Sequence, residues 1–113
     1  MAANVLTNHN QNPYSSYKQR RQTVQFTAGG YQVSVLCLLS PISLRVLLFM
    51  ATELTNEGFV IAPLDNVASR MNRSRSFVNK SILELARFGI ITKKKRGQYW
   101  VDPAYFRTAV IEV

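Results

Sequence analysis

Acidic side chains are in short supply in this chain: its 113 residues hold six Asp and Glu against 14 Lys and Arg. Other shortages narrow the chemistry further. Cys37 is the single cysteine, so an internal disulfide is excluded and a zinc site has no second soft ligand. Its neighbours, Val35-Leu36 and Leu38-Leu39, are apolar, which predicts a buried, inert thiol in a reducing compartment. His9 is the single histidine and stands in a polar N-terminal stretch, and no glycine-rich phosphate loop is present. These absences argue against an enzyme, and no cofactor, metal or small-molecule substrate is implied. Long apolar runs are missing too. The most apolar stretch, Val35 to Ala51, is interrupted by Ser40-Pro41 and Arg45, and neither part approaches the ~20 residues needed to span a bilayer. The N-terminus is rich in Asn and Gln and has no apolar core of a signal peptide. A cytoplasmic protein is the expectation.

What the chain does have is charge of one sign in one place. The 27 residues from Arg70 to Arg96 contain nine basic side chains and one acid, Glu84, a balance of +8; the five basic and five acidic residues elsewhere cancel. A charge that served solubility alone would be spread over the surface. A one-sided positive field attracts a polyanion, and inside a cell nucleic acid is the commonest. A hydrophobic fraction of 47% is enough to build one core at this length.

Local signals divide the chain into a flexible polar arm, residues 1–22, and a folded domain, residues 23–113. Lys18, Arg20 and Arg21 close the arm and could touch phosphates. Thr23 to Leu39 reads as a β-hairpin turning at Gly29-Gly30, or as a strand running into a helix. Ser40-Pro41 starts a central buried helix that runs to about Leu54. Phe59 to Ala62 reads as a short strand. A second helix begins near Pro63 with Asp65 in its first turn and ends at Asn72, a residue that tolerates the left-handed conformation. Ser74 opens a third helix that closes at Gly89. A strand from Ile90 to Lys94, a turn at Lys95-Arg96-Gly97 and a returning strand from Gln98 to Val101 follow. Asp102-Pro103 repeats the helix-start signal and predicts a short last helix from Ala104 to Thr108. The fold class expected is α+β, mainly α with a small β-hairpin, in winged helix-turn-helix order with an N-terminal hairpin or strand–helix extension.

The third helix has two unlike sides. Val78, Ile82, Leu85 and Ala86 share one face at helical spacing and predict its core contact. Ser76, Lys80, Leu83, Glu84 and Arg87 lie opposite, with Phe77 and Asn79 at the borders. In a helix-turn-helix the N-terminal half of this helix enters the major groove. Lys80 can donate to guanine O6 and N7, Asn79 can pair with adenine N6 and N7, and Phe77 can rest on a thymine methyl. Ser76 lies in that same half with them. Arg73, Ser74 and Arg75 stand at the helix start, where guanidinium and backbone N–H groups favour phosphate, and Arg70 just before the corner is a further expected DNA contact. Lys93, Lys94, Lys95 and Arg96 at the following turn would form a basic wing on the backbone or in the minor groove. A polar face opposite an apolar stripe also belongs to any surface helix, and a charged turn is common. It is the coincidence of corner, cap and basic hairpin in one short segment that points to DNA.

Several segments together resemble a known group: Ser43-Leu44-Arg45-Val46-Leu47-Leu48-Phe49, Asn56-Glu57-Gly58-Phe59-Val60-Ile61, the run from Val67 to Val78, Leu85-Ala86-Arg87-Phe88-Gly89-Ile90-Ile91, and Gly97-Gln98-Tyr99-Trp100-Val101-Asp102-Pro103-Ala104-Tyr105-Phe106. This pattern resembles the small winged-helix replication proteins of plasmids, the RepL type. Its general part is shared with MarR-like and other winged-helix regulators; its aromatic, Asp-Pro and Tyr-Phe close is what suggests the plasmid group. The resemblance spans about Thr23 to Arg107, with Asn72 where such corners often carry Gly and Pro63 near the usual polar helix cap. It implies a bacterial, nucleoid- or plasmid-associated protein that binds an origin or an operator, with no cofactor.

The expected function is therefore sequence-specific binding of double-stranded DNA, in plasmid replication and maintenance or in transcriptional regulation, as a homodimer. The dimer surfaces expected are Thr23 to Leu39 and Tyr105 to Val113. The alternative is a winged-helix module for protein interaction, in which Phe77 and Leu83 meet another protein and the charge is incidental.

Overall fold

In the computed structural model the described residues are 6, 8–18 and 22–110. Arg20, Arg21 and the last three residues of the expected C-terminal dimer segment lie outside them. The described elements are β1 (Gln22–Phe26), α1 (Gly30–Leu36), α2 (Pro41–Thr52), β2 (Phe59–Ile61), α3 (Leu64–Met71), α4 (Arg75–Arg87), β3 (Ile91–Lys95), β4 (Gln98–Val101) and β5 (Phe106–Val110). Over the described residues the fold is α+β: four helices, a three-stranded antiparallel sheet in the order β2-β4-β3, and a separate antiparallel pair of β1 with β5.

Local chemistry sets the helix ends. The Ser40 hydroxyl accepts the Ser43 N–H at 3.3 Å, and Pro41 fills the first helical position, where its missing N–H costs nothing. At the start of α4 the Ser74 hydroxyl accepts the Phe77 N–H at 3.2 Å. The C-terminal ends of α3 and α4 are closed by matching pairs of hydrogen bonds. The Arg73 N–H donates to the Ala68 carbonyl at 3.0 Å and the Asn72 N–H to that of Ser69 at 3.2 Å; the Ile90 N–H donates to Leu85 and the Gly89 N–H to Ala86, both at 3.0 Å. This closure places one residue in the left-handed region. Gly89 takes it at φ 74°, and Asn72 takes it at φ 54° and ψ 47°.

Those ends bring the apolar faces together. Val46, Leu47 and Met50 of α2, Val67 of α3, Val78 and Leu85 of α4, Val60 of β2 and Ile90 are fully buried in one cluster. Each such side chain contributes about 1.5–3 kcal/mol relative to exposure. α4 turns its Val78–Ile82–Leu85 stripe inward as its spacing predicts. Ala86 is exposed, however, and Ser81 is the fourth buried residue. The Ser81 hydroxyl donates to the Phe77 carbonyl at 3.4 Å, within its own helix, so a polar atom enters the core already paired.

Further expectations are corrected. Tyr31 to Val35 is not the second arm of a hairpin: it lies in α1, so the strand-into-helix alternative holds, and the partner of β1 is β5, from Gln22↔Val110 to Phe26↔Phe106. Phe106–Val110 is accordingly a strand and not a short helix. Asp102 does not cap a helix; its carboxylate accepts the Ala104 N–H at 2.9 Å in a tight turn, and the chain leaves that turn extended. The Thr27 N–H and hydroxyl, donating to the carbonyls of Tyr105 and Pro103 at 2.9 and 2.6 Å, fix the register. Finally, Cys37 is exposed and not buried. Val35, Leu36 and Leu39 turn toward the core, which leaves Cys37 and Leu38 on the outer side.

Candidate nucleic-acid interface

Residues 72–74, Asn72-Arg73-Ser74, separate α3 from α4. The left-handed turn at Asn72 redirects the chain, and the Ser74 cap begins α4 with its first turn open to solvent: Arg73, Ser74, Arg75, Ser76, Phe77, Asn79 and Lys80 are all exposed. The hairpin β3–β4 turns at Arg96-Gly97, where Gly97 supplies φ 73°. It folds back so that its tip meets the start of α3: the Ala62 N–H donates to the Gly97 carbonyl at 2.8 Å.

One open groove of about 470 Å³ results between the helical corner and the hairpin, and Arg75, Asn79, Lys93 and Arg96 line it together with Asp65, Gln98 and Tyr99. Two stretches of sequence some 20 residues apart thus present a continuous basic, hydrogen-bonding surface. Burial pushes the Tyr99 phenol above its ordinary value, so it stays a neutral donor and acceptor. Within the groove Arg75 is held: its Nε lies 3.0 Å from Oδ1 of Asp65.

The remaining expected site residues fall around this groove in different ways. Ser76 and Lys80 are exposed on α4, and the Ser76 hydroxyl sits 3.3 Å from that of Ser74. Phe77 is 43% exposed and Leu83 46%. Phe77 and Lys80 border a shallow depression against the start of α2, with the Arg73 guanidinium 5.5 Å from the Phe77 ring centroid. Arg70 is not brought to the groove; its guanidinium lies 5.0 Å from the ring centroid of Phe49, on the side where α3 meets α2.

The four cations of the turn also divide. The register of β3 against β4 shifts between Lys93 and Lys95. Lys93 pairs with Tyr99 and lines the groove. Lys94 goes to the other face of the sheet, where its ammonium lies 4.8 Å from the Phe59 ring centroid and 5.6 Å from that of Trp100. Those two rings meet edge to face at 5.6 Å, a geometry that presents negative ring density to a cation. Lys95 is exposed beside the bulge.

Glu84 departs from the outward placement expected of it. Its Oε1 accepts the Ser40 N–H at 3.0 Å and lies 3.1 Å from the Ser40 hydroxyl, tying α4 to the start of α2. The one acid of the basic segment is thereby engaged with the scaffold. The Ser43 hydroxyl, the Ser40 N–H and the Ser40 hydroxyl hold its carboxyl below the ordinary carboxylate range.

Asp65, Gln98 and Tyr99 are groove residues that the sequence reading did not single out. The alternation of the returning strand carried a signal for Tyr99, which sits across from Lys93. Asp65 carried none, since an acid in a first helical turn is explained by the helix dipole alone. Among the described residues no helix is long and apolar enough to cross a membrane. No protein-family model, curated protein or solved structure matches this chain.

Proposed function

We propose that this chain is a sequence-specific double-stranded DNA-binding protein of winged helix-turn-helix type, in which α4 enters the major groove and the β3–β4 hairpin is the wing. The observation that carries this reading is the single groove shared by Arg75 and Asn79 of α4 with Lys93 and Arg96 of the hairpin. A helix that reads bases and a wing that holds phosphates must face one duplex, and these residues face one space. In this proposal the site is an origin or operator of a plasmid or mobile element in a bacterial cell, a reading supported by the sequence pattern that resembles plasmid replication proteins. No catalytic step is part of this reading; the role is to recognise a site and recruit or exclude other factors.

The binding unit in this proposal is a homodimer, because helix-turn-helix proteins commonly read two half-sites. Its support is an exposed apolar surface on a stretch of chain outside the basic segment. α1 has no buried residue, and Tyr31, Val33 and Leu38 are exposed on or just after it.

Selection of bound duplexes from a random pool tests the reading. A defined motif is expected, and Asn79→Ala or Lys80→Ala should relax discrimination at individual positions by ~1–3 kcal/mol. Binding should also weaken about a thousandfold between roughly 50 and 200 mM salt if six or more phosphates are contacted. The exposed Phe77 and Leu83 favour a second reading, docking of another protein on α4. Affinity indifferent to salt and to duplex sequence would select that reading over the first.

A further inference from the structure

A carboxylate in a groove built for phosphate is out of place. Asp65 sits among Arg75, Lys93 and Arg96 with its side chain 75% exposed, and the Arg75 side chain is 61% exposed. An ion pair so open to solvent contributes little to folding, and a negative charge in a phosphate-binding groove lowers affinity. The geometry offers another purpose. Asp65 Oδ1 engages Nε of Arg75 at 3.0 Å. A guanidinium held by Nε keeps its two terminal amino groups free, side by side and in a fixed plane.

We propose that Arg75 is a guanine-reading residue and that Asp65 is its positioning residue; this rests on the DNA-binding reading above. The free edge of Arg75 carries two parallel donors, which match O6 and N7 of guanine in the major groove. Phosphate is the competing acceptor for the same edge, and Asp65 decides between them. Its negative charge repels an approaching phosphate but exerts no such penalty on an uncharged base edge. Fixing the long side chain beforehand also removes part of the entropy cost of forming two hydrogen bonds at once. Arg75 is the first residue of α4, the end that a recognition helix presents to base edges. Asp65 therefore gives up general affinity for selectivity at one base pair.

The test compares duplexes selected from a random pool by the full-length protein and by Asp65→Ala, Arg75→Ala, Arg75→Lys and the double variant Asp65→Ala/Arg75→Ala. The parent protein should select a motif with guanine fixed at one position. Arg75→Ala should lose that guanine preference, by about tenfold or more. Arg75→Lys, which keeps the charge but has no Nε, should lose it as well. Asp65→Ala should lose the preference at the same position while binding unrelated duplex more tightly, and the double variant should discriminate no worse than Arg75→Ala alone. Thermal midpoints near that of the parent protein establish that the variants are folded, and both side chains are exposed enough for that to be expected. Guanine retained in Asp65→Ala, or lost at a different position from Arg75→Ala, overturns the pairing and leaves DNA binding standing. A parent protein that selects no motif overturns both.

Discussion

At the scale of single residues, sequence neighbours in this protein do different work, and the difference is measurable. Lys93 and Lys94 are adjacent and alike in charge, but one lines the groove and the other rests on Phe59 and Trp100. Lys93→Ala should weaken binding to all duplexes and reduce the salt slope by about one, as loss of one phosphate contact does. Lys94→Ala should leave affinity closer to that of the parent and instead change the emission of Trp100, the single tryptophan. Titration of a labelled duplex across salt concentrations, with fluorescence spectra of the free variants, distinguishes the two; equal losses of affinity would reject the division of the hairpin.

Glu84 supplies the pH dependence. Hydrogen bonds from Ser43 and Ser40 lower its folded-state pKa below the unfolded value. A depressed carboxylate contributes stability above its unfolded pKa and loses it as pH falls through the folded one. Denaturation of the parent protein should therefore become easier as pH drops from about 5 to about 3, while Glu84→Gln, already less stable at neutral pH, should show a shallower decline. Parallel curves for the two proteins would mean that the contact between α4 and the start of α2 does not discriminate between charged and neutral Glu84.

At the scale of elements, the corner between α3 and α4 depends on one backbone conformation. Asn72 holds φ 54°, a region that costs most L-residues roughly 1–2 kcal/mol. Asn72→Ala should destabilise the protein by about 1 kcal/mol and Asn72→Gly should be neutral or stabilising, as read from urea midpoints at constant slope. This corner was legible in the sequence because its determinants are local: a left-handed-tolerant Asn, a Ser cap, an apolar stripe at helical spacing. The helix start at Ser40-Pro41 and the Gly97 turn were legible for the same reason. What failed depended on distant partners. Tyr31 to Val35 alternates like a strand, but alternation over five residues also fits a half-exposed helix, and the choice follows from β5 occupying the place beside β1. That partner is some 80 residues away, and the Asp102-Pro103 signal disguised it as a helix. The site was half legible. Its basic residues were visible by composition, whereas the register shift between Lys93 and Lys95 and the reach of Asp65 to Arg75 exist only once the elements are packed.

At the scale of the molecule, charge and apolar exposure lie in different stretches of the chain. The net charge belongs to residues 70–96, and the neutral remainder holds most of the uncovered apolar side chains. β1 turns Val24 and Phe26 outward, while the Thr23 hydroxyl is buried with no hydrogen-bond partner among the described residues. An open groove of about 750 Å³ runs between β1, β5 and α2, lined by Val24, Phe26, Leu48, Leu54 and Phe106 among others. Two copies carrying +8 each repel through their basic faces. In the proposed dimer they meet instead through this largely apolar groove, and each α4 reads one half-site. The dimer proposed here therefore uses β1, α1 and the outer side of α2. Cys37, exposed at the end of α1 and the single cysteine of the chain, is a built-in reporter. A short bis-maleimide should link two copies through it, and sedimentation at tens of micromolar should give twice the monomer mass, with Phe26→Glu and Leu38→Glu reducing both. A protein that sediments as a monomer with and without its selected duplex would remove the dimer. Recognition would then rest on a single half-site, and the selected motif should be short and asymmetric instead of two-fold.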